Sequence, residues 1–328
     1  TVIYDEEDRL FKMWYNALPS AEKPDVDNYL CYAVSEDGST WEKPELGNHE
    51  HNGSTANNIV LRGVDWTHSV IKDDEAGPRR YKLAYWSRKG NLEGVYVAFS
   101  ADGVHWVDHG QRPVVPGWAS GDTFSVMRDP NSGSYFLYHK TPGQSIRTVS
   151  RAISEDFVEW QESRLVLAPD IHDAPDTQFY GMSAFPYAGL CLGLIWVYHT
   201  YPQTVDMQLV YSDDGLNWHR ACERKLFLHL VPTNRYSGKS FDSMMVYPAS
   251  SPVEKDGLLW FYYSGFSVPH NALPEAHDGQ IGVACVPRDA FCRLDATGEG
   301  VVVSRPFTVR GSKLIVNGGV RGPDEADE

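Results

Sequence analysis

The chain has 328 residues, long enough for two ordinary domains or one repeat-built domain, and carries 44 acidic against 29 basic residues for a net charge of −15. That balance argues against a polyanion ligand, because nucleic acid needs a basic footprint. Hydrophobic residues make up 42% and aromatics 12%, ample for a packed core, and no run of 18 apolar residues is present to cross a bilayer as a helix.

In chain order, short apolar and aromatic runs predict strands. "TVIY" (1–4), "LFKMWYN" (10–16) and "YLCYAVS" (29–35) form a first set. "HSVIK" (68–72), "YKLAYWS" (81–87) and "GVYVAFS" (94–100) form a second, and "TFSVMR" (123–128), "YFLYHK" (135–140) and "RTVSRAIS" (147–154) a third. "YGMSAF" (180–185), "LGLIWVYHT" (192–200) and "MQLVYS" (207–212) repeat the order, as do "SMMVYP" (243–248), "LLWFYYSG" (258–265) and "QIGVACV" (280–286). Each of the first four sets ends in one motif: "SEDGSTW" from Ser35, "SADGVHW" from Ser100, "SEDFVEW" from Ser154 and "SDDGLNW" from Ser212. In the fifth, Asp289 falls where the motif Asp belongs, but Gly and Trp are gone. A fourth strand is expected to start at each motif Trp, and "VVVSRPF" (301–307) to be the outer strand of the fifth set.

A supersecondary unit recurring every 55–65 residues or so is the mark of a repeat array. The predicted fold is therefore all-β, a five-bladed β-propeller of four-stranded antiparallel blades. A pair of β-sandwiches would also explain short strands, but not their one shared order. The repeated motif reads as a turn: Asp and Ser bond local amides, Gly supplies φ > 0, and Trp anchors the hairpin. It resembles the Asp-box of sialidase-type propellers, a structural turn on the face opposite the mouth of the innermost strands.

Chemistry is expected where the innermost strands begin, around a central funnel. "SGDTFSVM", "APDTQFYGM" and "KSFDSMMVYP" place Asp122-Thr123, Asp176-Thr177 and Asp242-Ser243 at three such entrances, and the second set offers Trp66, Thr67 and His68 there. One Asp-Thr pair at a strand start is ordinarily a turn cap. Three in register would gather carboxylates around one axis, where like charges push pKa values apart and yield an acid and a base. Two carboxylates flanking a glycosidic bond are the minimum for hydrolysing it. His139 and His199, at the ends of two second strands, are secondary candidates for substrate contact, with Gln178 and Tyr180 beside Thr177. A lone strand histidine is more often structural. Funnel-side loops add Trp118, Arg235, Tyr236, Asp170 and Asp173. "MRDP" looks like the Arg-Asp-Pro of invertase-type enzymes, but the next strand starts too soon after it, so Asp129 is assigned to a turn.

With five blades and acids at their entrances, the chain resembles the furanosidase group of five-bladed glycoside hydrolases, of invertase and levanase type and of arabinanase and xylosidase type. "YDEEDRLFKMWY" and "YAVSEDGSTWEKPELG" also look like bacterial family-32-like hydrolases. The resemblance implies catalytic acids on successive innermost strands, and the matching positions are Asp122, Asp176 and Asp242. None is Glu, the usual general acid, and the first-blade counterpart of Asp122 would precede Thr1. It implies a propeller over 1–308 followed, at 309–328, by a C-terminal extension or the truncated start of a β-sandwich in "TVRGSKLIVNGG". The expected function is a glycoside hydrolase on a furanoside or related glycan, with an oligo- or polysaccharide as partner. The alternative is a non-catalytic glycan-binding or interaction propeller. A sialidase is disfavoured for want of a three-arginine cluster.

No cofactor is expected; a structural cation in the channel would sit near His68, but no ligand spacing supports a metal. Cys31, Cys191, Cys222, Cys285 and Cys292 show no regular spacing and are expected as free or core thiols. The start "TVIYDEEDRL" has neither Met nor a signal pattern and fits a processed exported protein or a fragment. Of the compartments, export is the favoured expectation.

Overall fold

The structure is a computed structural model that describes residues 1–17, 28–74, 77–143, 145–231, 240–273 and 278–292, together with 294, 296, 299–304, 306, 311 and 312. It is an all-β propeller. Contact density divides the chain into a compact unit, Thr1–Phe291, and a second, Cys292–Glu328.

The ladders of the first unit run in chain order as antiparallel groups, counted as five, of which the last two are joined in one sheet by a single parallel pairing, Val205 with Met245. The first pairs β1 (Val2–Asp5), β2 (Leu10–Ala17), β3 (Tyr29–Ser35) and β4 (Ile59–Arg62) in that order. The second is β5 (Asp65–Lys72), β6 (Tyr81–Lys89) and β7 (Leu92–Ser100), edged by β8 (Val107–Asp108) and β9 (Val115–Pro116). The third is β10 (Phe124–Arg128), β11 (Tyr135–Lys140), β12 (Val149–Ser154) and β13 (Arg164–Leu167). The fourth is β14 (Thr177–Tyr187), β15 (Leu190–His199) and β16 (Thr204–Ser212), edged by β17 (His219–Arg220) and β18 (Leu226–Leu228). In the fifth, β19 (Met245–Pro248) and β20 (Val253–Lys255) share one side of β21 (Leu258–Phe266), and β22 (Gln280–Pro287) takes the other. The expected outer strand at 301–307 is not a strand at its described residues, and Val301, Val302 and Val303 are exposed. The sandwich expected at 309–328 lies outside the described residues but for 311 and 312.

The ring closes through apolar burial. Trp14, Leu30, Val70 and Leu83 join the first group to the second; Val95, Val97, Val126 and Leu137 join the second to the third. Phe136, Tyr138, Phe179 and Ile195 join the third to the fourth, and Leu194, Met207, Val246 and Phe261 the fourth to the fifth. Val253 and Tyr262 then pack on Val2, Phe11 and Met13 of the first group. Inner-strand hydroxyls stitch the same seams. The amides of Val126 and Ala184 donate to Ser69 Oγ (3.1 Å) and Ser125 Oγ (3.3 Å), Ser125 Oγ donates to the Met182 carbonyl (2.7 Å), and Thr1 Oγ1 meets Ser250 Oγ (2.9 Å).

The repeated motif is a turn, as its residues predict. Asp37, Asp102, Asp156 and Asp214 each accept two backbone amides through Oδ1, and Ser35, Ser100 and Ser154 accept the amide three residues on. It also does something that sequence did not reveal. The carbonyl of its Gly, the fourth position, accepts a bond from an aromatic on the second strand of the preceding group: Trp14 Nε1 to Gly103 (2.7 Å), Tyr138 Oη to Gly215 (2.8 Å) and, closing the ring, Tyr262 Oη to Gly38 (2.8 Å). Phe157 replaces Gly in the third motif at φ +71°. The left-handed backbone costs about 1–2 kcal/mol. Full burial of the ring against Phe99, Tyr135 and Trp160 returns about 2 kcal/mol, so the exchange is close to even.

Edge pairing begins at or just after the motif Trp, in β8 and β17 and in the isolated bridges Val34–Glu42 and Ser154–Trp160, and is taken up again further on by β4, β9, β13 and β18; the indoles of Trp160 and Trp218 donate to the carbonyls of Phe157 and Gly215 (3.2 Å each). One expectation is corrected. Cys222 and Cys292 are disulfide-bonded, while Cys31, Cys191 and Cys285 are free thiols. The reading of Asp129 holds: it accepts from Ser132 Oγ (2.7 Å) and the amides of Asn131 and Ser132 in the β10–β11 turn.

Gly215 and Gly189 both have positive φ (+65° and +85°), but a Cβ on Gly215 would lie 2.6 Å from Tyr138 Oη, whereas nothing lies within 4 Å of one on Gly189. Gly189→Ala is expected to cost only the backbone strain, about 1 kcal/mol. Gly215→Ala adds the lost seam bond and should cost about 2–4 kcal/mol in denaturant unfolding. Equal losses would remove the seam role of the turn.

Candidate functional site

The hydroxyl stitches give a common register for the inner strands. Trp66, Asp122 and Tyr180 each stand three residues before a stitching serine (Ser69, Ser125 and Ser183) and so occupy matched entrances. Two of these places are β-bulges, which re-aim side chains. The β5–β6 register slips between Asp65 and His68, leaving Trp66 at φ +48° and 64% exposed. The β14–β15 register slips between Phe179 and Gly181, freeing Tyr180. Gly181 permits this, because a Cβ there would lie 2.8 Å from Thr123 Cγ2 and 2.9 Å from the Trp196 ring.

Around these entrances a polar and aromatic cluster assembles. Asp122 pairs with Lys140 Nζ at 2.5 Å and accepts from Thr123 Oγ1 at 3.1 Å. The Lys140 ammonium lies 4.8 Å from the Tyr180 ring centre. Arg147, in the loop between β11 and β12, lies 5.2 Å from the Tyr180 ring and 5.1 Å from Tyr198, and donates through Nη1 to Gln178 Oε1 at 2.6 Å. His270, from the loop after β21, packs on both rings at 4.9 and 4.8 Å, and Tyr247 packs on Tyr180 at 6.2 Å. Burial, and secondarily the Asp122 carboxylate, pushes the Tyr180 phenol up to about 12, so at neutral pH it is a proton-bearing donor.

The other expected residues fall elsewhere in this frame. Asp176 is half-buried; its carbonyl accepts the Thr200 amide, and its charge favours the His199 imidazolium. Asp176 lies seven residues before Ser183, not three, because the β14–β15 hairpin reaches further than β10–β11. The two histidines likewise differ: His139 opposes Phe124, His199 opposes Thr177. His139 is fully buried, with Nδ1 on the Lys140 carbonyl and Nε2 on Ser163 Oγ, and burial lowers it to about 4; it is a structural residue with no surface for a substrate. Asp242 is 4% exposed and accepts from Ser240 Oγ (2.5 Å) and Tyr263 Oη (2.9 Å), an internal tie of the fifth group where an open acid was expected. Among the described residues no ion pair or hydrogen bond joins Asp122, Asp176 and Asp242.

His68 Nε2 sits 2.9 Å from the Trp14 carbonyl, Thr177 is buried, and Trp118 is 83% exposed. Asp170 and Asp173 are tied to Arg224 and Arg220. Arg235 and Tyr236 lie outside the described residues. Sequence reasoning missed Arg147, Tyr198, Tyr247 and His270, which reach the cluster from loops and strands of the third, fourth and fifth groups. It also missed Asp206, 6% exposed on β16, whose Oδ2 lies 2.8 Å from His199 Nε2 and whose Oδ1 has no protein partner.

No family model matches the chain, and no curated protein does either. Solved structures share its fold. An N-acetylgalactosamine deacetylase from F. plautii, in complex with blood group B trisaccharide, superposes with a TM-score of 0.61 at 15% identity over 85% of each chain. The endo-arabinase of Bacteroides thetaiotaomicron gives 0.55 at 11%, over 88% of this chain and 93% of its own. A GH130-family structure, from a family of mannoside phosphorylases that contains hydrolases targeting beta-1,2 mannosidic linkages, gives 0.55 at 15%, over 90% and 85%.

The hydrogen bond to Asp206 is the main cause raising His199 above its ordinary value; burial opposes it. A raised folded-state pKa stabilises the fold fully below the unfolded value, about 6.5, and that stabilisation is lost as pH rises through the folded value. His199 is therefore expected to titrate above 6.5 by NMR, and Asp206→Asn to bring it to or below that value. The variant's unfolding midpoint should also fall less than the wild type's as pH rises from about 6 to 8. An unchanged His199 titration would break the assignment.

Proposed function

We propose that the chain is a glycan-processing enzyme, a glycoside hydrolase that cleaves a furanoside or related glycan at the inner-strand entrances. The observation that carries this reading is Asp122, a partly exposed carboxylate fixed by Lys140 and Thr123 beside the Tyr180, Tyr198 and Tyr247 rings. Aromatic faces and phenolic donors suit a sugar ring, and a fixed anion suits attack on, or stabilisation of, an oxocarbenium-like transition state. The ion pair with Lys140 gives Asp122 the anionic role of nucleophile, base or stabiliser. Asp176 is the second carboxylate, and His199, whose imidazolium form the bond to Asp206 favours, is the proton source at that edge. Asp242, with both oxygens occupied, is left to structure. The fold-sharing enzymes, a deacetylase, an endo-arabinase and mannoside-active proteins, are compatible with a glycan substrate by analogy of fold. The disulfide-bonded Cys222 and Cys292 accord with an exported protein.

The second reading, a non-catalytic glycan-binding propeller, is favoured by one observation: the closure of Asp242 removes one of the three expected acids.

The test is a panel of fructans, arabinans, xylans and aryl-furanosides with wild type, Asp122→Asn and Asp176→Asn. Either substitution should lower kcat on the order of 10²–10⁴-fold with the unfolding midpoint near that of wild type. Glycan binding without turnover by wild type would select the binding module.

A further inference from the structure

Resting on the reading of this funnel as a glycan site, we propose that it takes an acidic sugar, a uronic acid whose carboxylate docks on Arg147. The argument is a mismatch of donors and acceptors. Arg147 forms no ion pair with any carboxylate among the described residues; its one hydrogen-bonded side-chain partner is the neutral Gln178 amide, on Nη1. Its Nε and Nη2 have no partner there, which leaves an edge of the guanidinium fork open to two parallel bonds from a carboxylate. The chain as a whole has an excess of acid, net −15, and the fourth-group arginines Arg220 and Arg224 are held by Asp173 and Asp170, whereas Arg147 of the third group has no acid beside it and keeps its charge for an external anion.

The surroundings point the same way. Tyr180 and Tyr198, whose rings carry the guanidinium, have phenols that bond no protein acceptor among the described residues. Lys140 also lies over the Tyr180 ring, but its charge is spent on Asp122, the one carboxylate paired within the cluster. Arg147 and two phenols therefore present donors that the protein leaves unmatched, and a neutral hydroxyl answers them less well than a carboxylate. The loop position of Arg147 is fixed by its own carbonyl, which accepts the Phe179 amide at 2.9 Å beside the Tyr180 bulge. The stacked rings and Gln178 then hold the side chain, so the fork is oriented before a ligand arrives.

The experiment is calorimetric titration of the full chain with D-galacturonic and D-glucuronic acid and with their methyl esters, which keep shape and remove charge. Wild type is expected to bind at least one acid on the order of 10- to 100-fold more tightly than its ester. Arg147→Gln should erase that difference and Arg147→Lys should keep part of it. Circular dichroism and the unfolding midpoint check that the variants fold. Equal binding of acid and ester, no binding of either acid, or a preference that survives Arg147→Gln overturns the proposal. Furanosides cleaved through Asp122 together with equal binding of acid and ester would uphold the hydrolase while overturning the acidic subsite. Acid binding through Arg147 without any turnover would do the reverse.

Discussion

The bond from a second-strand aromatic of one group to the turn carbonyl of the next is the constraint on which this ring depends. A propeller sheet buries its faces against two neighbours, and apolar contact alone leaves each group free to slide. Trp14, Tyr138 and Tyr262 each fix the slide with one directed bond to a carbonyl that only a tight left-handed turn presents. Breaking one leaves a buried carbonyl unpaired, at about 1–3 kcal/mol. Tyr262 to Gly38 has a special place, because it ties the last group to the first.

The entrances inherit that fixed register. With seams locked at the turn end by aromatics and near mid-strand by Ser69, Ser125 and Ser183, a local slip in one ladder cannot be relieved by moving the whole group. The bulges at Trp66 and Tyr180 are such slips, and they free these aromatic residues from the ladder at the strand entrances. Phe157 shows how closely the ring is optimised: where the motif lacks Gly, the side chain itself fills the seam.

Much of the fold was legible in the sequence because its signals are local. Period-2 apolar runs gave the inner three strands of the groups, and the Ser-x-Asp-Gly-x-x-Trp spacing gave the turns. The motif Trp marked where the edge pairing begins, but not that this pairing is brief and resumes further on, as at β4 and β13, because the loop between carries no periodic signal. The site was legible only in part. Asp122, Tyr180 and Gln178 sit on strands with a repeat to align, and they come to one cluster. Asp176 and Asp242 looked equivalent to Asp122 because alignment by sequence cannot see that one hairpin is longer and that Tyr263 closes over another acid. Arg147 and His270 stand on loops with no repeat, and their meeting depends on how three groups converge.

The two ends of the inner strands show how a structural carboxylate differs from one poised for a ligand. At the far end, Asp5 accepts from Lys12 and from Lys72 and Tyr81 of the next group (2.7–2.8 Å); against the cost of its burial, these bonds hold its carboxyl well below the usual range. Asp73 repeats the pattern with Lys82 and with Arg128 and Tyr135 of the next group. Such acids are enclosed by several donors from two sides of a seam, so their charge is consumed in holding it. Asp122 begins the strand that Asp129 follows, yet its charged partner is Lys140 of its own group, and part of its carboxylate remains open. No seam needs it. What it faces across the group boundary is Tyr180, and on that ring lies the Arg147 guanidinium, whose side-chain bond goes to the neutral Gln178 amide. An anion and a cation held apart by an aromatic face leave this end of the inner strands polarised, where the far end spends its charges across the seams.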